Sequence, residues 1–139
     1  MTKLLLSLHV LAAIVAIGPV TVAASMFPAM TRRADHAALP LLHRICRVYA
    51  LLGVAVPVFG LATASSLGVL GDTWLLVSIA LTAVAAALLG LAILPAQRRI
   101  VAGTPYRPAR LGMLTGVFNL LWAAVVVLMI VRPGSTTGA

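Results

Sequence analysis

Residues 74–94 read WLLVSIALTAVAAALLGLAIL, an apolar run with no charged side chain in it. A helix needs about 20 apolar residues to cross a hydrocarbon core about 30 Å thick. Inside lipid every backbone N–H and C=O must be paired, which leaves helices and closed barrels as the spanning forms. A barrel strand alternates apolar and polar side chains, and this run does not alternate, so it predicts a transmembrane helix. Working outward, residues 4–30, 48–68 and 111–131 form three more runs of the same kind. Together they predict an all-α fold, a four-transmembrane-helix bundle that makes residues 1–139 a single integral membrane domain. The links 31–47, 69–73 and 95–110 are short, and short links favour up-down-up-down order. Met1–Leu6 resembles the opening of a secretory signal, with Val22-Ala23-Ala24 as a weak cleavage site. The apolar run continues to Met30, longer than a signal's core, so the first helix is expected to be retained.

Charge placement gives the orientation. The 139 residues carry ten Lys and Arg against two Asp, a net charge of +8, and charged side chains make up 9% of the chain. Soluble domains carry about a quarter. With a mean hydropathy of +1.16, this excludes an ordinary soluble globule and a disordered tail. Cys46 is the one cysteine, which excludes an internal disulfide. The isoelectric point near 11.7 would suggest a nucleic-acid partner if the cations covered a solvated face. Instead they abut apolar runs, so no nucleic-acid partner is expected. Arg32, Arg33, Arg44 and Arg47 bracket the first link, and Arg98, Arg99, Arg107 and Arg110 the third. Lys3 and Arg132 lie near the termini, and the second link holds only Asp72. The positive-inside rule then puts the first and third links in the cytoplasm and both termini outward. The eight arginines are expected to touch anionic head groups.

The two helical hairpins look alike. Arg44-x-x-Arg47-x-x-x-Leu51-x-Gly53-Val54 opens the second run, and Arg107-x-x-Arg110-x-x-x-Leu114-x-Gly116-Val117 opens the fourth with the same spacing. Pro28-Ala29-Met30-Thr31-Arg32-Arg33 leaves the first run and Pro95-Ala96-Gln97-Arg98-Arg99 the third. A parallel duplication of one hairpin accounts for this; so does the general frequency of flanking arginines and glycines. Pro19 and Pro57 lie inside runs and remove the helical donors of the Val15 and Gly53 carbonyls, which predicts kinks. Gly112-x-x-x-Gly116 and Ala86-x-x-x-Gly90 are small-residue spacings that let helices approach closely, within the bundle or in a dimer. Asn119, deep in the fourth run, is expected to bond to another helix, with Thr115 one turn away.

Few residues carry chemistry. His9 lies within the first run, and an ionisable group there is a functional hypothesis by default. A neutral imidazole is a candidate axial haem ligand or proton shuttle; the alternative is a histidine bonded to a neighbouring helix. His43 and Cys46 share a helix face, with His36 nearby, but the flanking arginines oppose a metal ion. No metal site and no catalytic residue is expected. The chain has no paired carboxylate and no phosphate loop, and Asp35 and Asp72 lie in links, so ion-coupled transport lacks its usual intramembrane acid.

Several stretches carry a resemblance. They are Lys3 with Leu8-His9-Val10-Leu11-Ala12-Ala13, Arg47-Val48, Trp74, Pro95-Ala96-Gln97-Arg98-Arg99, Phe118-Asn119-Leu120-Leu121-Trp122 and Val131-Arg132-Pro133-Gly134. In these the chain resembles, over nearly its whole length, a family of small bacterial four-helix integral membrane proteins of unknown function. The resemblance implies a bacterial inner-membrane location. Through the Leu8-His9 pair the chain is distantly similar to small membrane protoporphyrinogen oxidases and copper-resistance membrane domains, which implies haem or metal binding by histidines within helices. The leading expectation is a non-enzymatic accessory or stabilising subunit of a larger membrane assembly, or a homo-oligomer, with membrane lipids and other subunits as partners and no cofactor. The alternatives are a haem-binding redox or porphyrin enzyme using His9, and a small-solute or lipid transporter hinged at Pro19 and Pro57.

Overall fold

The computed structural model describes residues 1–134. Among them every regular element is helical. The elements are α1 (Thr2–Arg32), α2 (Ala38–Leu52), α3 (Ala55–Leu67), α4 (Thr73–Leu88), a π-helical turn (Leu89–Ile93), α5 (Leu94–Val101) and α6 (Pro108–Val131). They join into four long helices, each long and apolar enough to cross a membrane: Thr2–Arg32, Ala38–Leu67, Thr73–Val101 and Pro108–Val131.

The helices outrun the apolar segments. The second begins at Ala38 rather than near Val48, so Arg44 and Arg47 belong to α2 and not to a link. Leu39, Leu42, His43 and Cys46 are buried while Arg44 and Arg47 are exposed, the i, i+3, i+4, i+7 pattern of an amphipathic helix. The third continues through α5 to Val101, which carries Arg98 and Arg99 outward and buries Ala96 and Gln97. The basic links thus shrink to residues 33–37 and 102–107.

The prolines within the long helices behave differently from one another. Helix α1 runs unbroken through Pro19 and Pro28. At Pro57 the ladder changes: the Gly53 carbonyl, which Pro57 cannot serve, accepts from Val56 N at 3.1 Å, and Val54 N donates to Leu51 at 3.2 Å. These three-residue bonds tighten the backbone and separate α2 from α3. Near Pro95 the helix widens. Leu94 N reaches the Leu89 carbonyl five residues back, and Pro95 has no N–H to restore the four-residue pattern.

The core is uneven. Its larger part gathers near the arginine-rich end and includes Val20, Phe27, Leu42, Ile93, Leu111 and Phe118. A smaller cluster of Ala64, Val69, Trp74 and Leu75 closes the other end. There Gly68, at φ 72, ends α3 in the left-handed conformation that glycine adopts without strain. Arg132 stacks over Trp74 at 5.6 Å, and the Thr2 and Ser66 hydroxyls bond to each other. The first long helix packs along both α2 and α3, and α4 packs along α6. The second and third long helices meet mainly through α2 and α5.

Candidate functional site

Three polar groups tie the long helices together, and the side chains that stand out for chemistry within those helices all take part. The first tie is His9. Its Nδ1–H donates to the Val56 carbonyl at 2.8 Å, so Nδ1 carries a proton. The ring reaches α3 because Gly60 faces it. A Cβ added at Gly60 would lie 2.8 Å from His9 Cε1, so only glycine lets the imidazole seat there. The sequence marks His9 clearly and Gly60 faintly; the available signal was a glycine in the middle of an apolar helix.

The second tie is buried at the arginine-rich end. His43 Nδ1–H donates to Gln97 Oε1 at 3.1 Å, and Gln97 Nε2 donates to Cys46 Sγ at 3.6 Å. Gln97 and Cys46 are wholly buried. The third partner of the His43–Cys46 pair is therefore an amide on α5 and not His36. Among the described residues no three His, Cys, Asp or Glu side chains gather as metal ligands. The three side chains close the contact between α2 and α5 as a packing arrangement. In the sequence Gln97 stands out only as part of a helix exit. Its signal is that it lies one turn from Ile93, on the apolar face of α5, opposite Arg98 and Arg99.

The third tie joins α1 to α6. Asn119 Nδ2 donates to Ser25 Oγ at 3.1 Å. Around it lie four buried side-chain atoms with no hydrogen-bond partner: Thr21 Oγ1, Thr115 Oγ1, Asn119 Oδ1 and Trp122 Nε1. Thr115 thus does not share the Asn119 bond. Thr21 and Ser25 are one turn apart on α1, and Thr115, Asn119 and Trp122 follow one face of α6, so these groups form a polar band along one seam.

The small residues divide their roles. Gly112 meets Pro28, whose Cβ would lie 3.9 Å from a methyl added to that glycine, and so serves the α1–α6 seam. Gly116 and Gly90 have open space where a side chain would be. Ala86 and Gly90 border a groove between the second and third long helices. His9 and His43 lie on separate ties, far apart along α1–α3 and α2–α5, and the structure does not bring them together. The chain matches no family model, no curated protein and no solved structure.

Proposed function

We propose that this chain is a multi-pass protein of the bacterial inner membrane, a non-enzymatic accessory or stabilising subunit of a larger assembly. In this reading the four long helices cross the bilayer in up-down-up-down order as two related hairpins. The links that hold Arg33 and Arg107 are cytoplasmic, and both termini face outward. One observation carries the proposal: His9, His43, Cys46 and Asn119 are each engaged in a bond between helices. Polar groups used this way fix which helix pairs with which. Large apolar side chains cover the outside along the long helices, among them Leu11, Leu61, Leu91, Leu120 and Val127. The open Gly116 face of α6 offers a close approach for a neighbouring helix.

The test is extraction from native membranes in mild detergent followed by native electrophoresis. The chain is expected in a species larger than its own 14.4 kDa plus micelle, with a constant set of companions. Isolation as a bare monomer under every mild condition overturns the proposal.

A second reading keeps His9 as a haem ligand. Donation from Nδ1–H to a backbone carbonyl is the arrangement that orients a ligating imidazole and leaves Nε2 free. An absorption spectrum after haem supplementation decides it: a Soret band that disappears in His9→Ala supports it, and a featureless spectrum ends it.

A further inference from the structure

Two grooves flank the arginine-rich end of the third long helix, one on each side. The first, about 340 Å³, is walled by Arg47, Leu51 and Val54 of the second long helix and by Arg98, Leu94 and Gly90 of the third. The second, about 450 Å³, is walled by Arg110 and Leu114 of α6 and by Arg99, Pro95 and Leu91. Tyr106 also lines it, with the Arg110 guanidinium 6.0 Å from the ring centre. Both are built to one plan. Each is lined by two arginines together with a bed of apolar residues. The beds face outward, since Leu51 is 74% and Leu91 80% exposed.

The sequence repeat runs through this plan. Arg47 and Leu51 occupy the same places in their hairpin as Arg110 and Leu114 in theirs. Each repeat thus supplies one wall, and the adjacent Arg98 and Arg99 supply the other walls. None of the four arginines has a protein counter-ion among the described residues. Asp35 accepts from Ala38 N and Asp72 from Trp74 Nε1, and these are the chain's only acids. Paired guanidinium groups are suited to a phosphate oxyanion, and an apolar bed beneath them is suited to an acyl chain. A basic pocket between transmembrane helices is the form that anionic head-group sites take.

We propose that the two grooves are a matched pair of binding sites for an anionic glycerophospholipid, with the phosphate between the arginines and an acyl chain on the bed. This goes beyond general head-group contact, because Arg32, Arg33, Arg44 and Arg107 line neither groove. It rests on the membrane placement proposed above but not on the accessory-subunit role.

The experiment uses the full chain, delipidated in detergent and offered dioleoylphosphatidylglycerol, dioleoylphosphatidylcholine or inorganic phosphate, with retention read by native mass spectrometry. Two phosphatidylglycerol molecules per chain are expected, with little phosphatidylcholine and no displacement by inorganic phosphate. Arg47→Gln with Arg98→Gln should remove one molecule, and Arg99→Gln with Arg110→Gln the other. Each pair should weaken its site roughly thirtyfold, taking two head-group cations and their surface attraction together. Leu114→Trp fills a bed while keeping all the charge, and should remove the second molecule alone. Arg32→Gln with Arg33→Gln should keep both. Equal retention of the two lipids, unchanged retention in both double variants, or a Leu91→Cys disulfide showing a second copy seated in the groove overturns the proposal. Carbonate extraction of the same chain separates the two levels. A chain that stays in the pellet but shows no lipid preference refutes only the grooves, whereas release by carbonate refutes the membrane placement as well.

Discussion

The His9–Gly60 pair makes a sharp prediction at the scale of single residues. A methyl at Gly60 would overlap the imidazole, and its ring cannot simply swing aside without giving up the Val56 carbonyl. Gly60→Ala is therefore expected to lower stability by about 1–3 kcal/mol, the usual size of an overpacking penalty. In a His9→Ala background the same change should be nearly neutral, because the atoms it strikes are gone. Thermal unfolding of the four variants in detergent gives the coupling directly, and additive effects would show that the ring and the glycine do not meet. The sequence reveals the first member of each such pair and hides the second. His9, His43, Cys46 and Asn119 stand out as polar letters in apolar text. Val56, Gly60, Gln97 and Ser25 do not, since what makes them partners is proximity between residues 47 to 94 positions apart. No spacing rule within one helix reports that.

The π-helical turn belongs to the scale of elements. It inserts one residue more per turn than an α-helix would use, and so sets the rotational phase of α5 relative to α4. In the phase observed, Ala96 and Gln97 point inward and Arg98 and Arg99 outward. Inserting one alanine after Ile93 should turn everything after it by about 100°. Gln97 would leave Cys46, now wholly buried, and the thiol would become accessible. Deleting Gly90 instead removes the extra residue of the wide turn, so α4 should run into α5 as ordinary helix with the phase of α5 kept. The measurement is the rate of maleimide labelling at Cys46, expected to rise at least about tenfold in the insertion and to stay unchanged in the deletion. A deletion that labels as fast as the insertion would mean that the turn does not absorb an extra residue. The four long helices were legible because their apolar runs exceed what any soluble element needs. Their ends were not. Hydropathy marks only the apolar run, whereas α2 and α5 continue past it as amphipathic helix, with arginines on the outer face. The π turn was also illegible, since a widened turn is stabilised by contacts with other helices and has no letter of its own.

For the whole molecule, the decisive property is the excess of cations over acids, ten Lys and Arg against two Asp. Eight arginines gather at one end of the bundle with Asp35 as the one carboxylate there. Under the orientation proposed, fusions at either terminus should give active periplasmic alkaline phosphatase and dark green fluorescent protein, while reporters inserted after Gly103 should give the reverse. The opposite pattern would overturn the orientation and leave the helices untouched. A different consequence follows from the first long helix. Its apolar stretch, residues 4–30, measures roughly 40 Å at 1.5 Å per residue. The hydrocarbon layer is about 30 Å deep. In the membrane placement proposed, a rod a third too long must lean or thicken the lipid around it. The short ties to α3 and α6 oblige its neighbours to adopt the same tilt. The fit of the whole bundle thereby depends on bilayer thickness, and acyl-chain length becomes a variable to which this protein's stability responds.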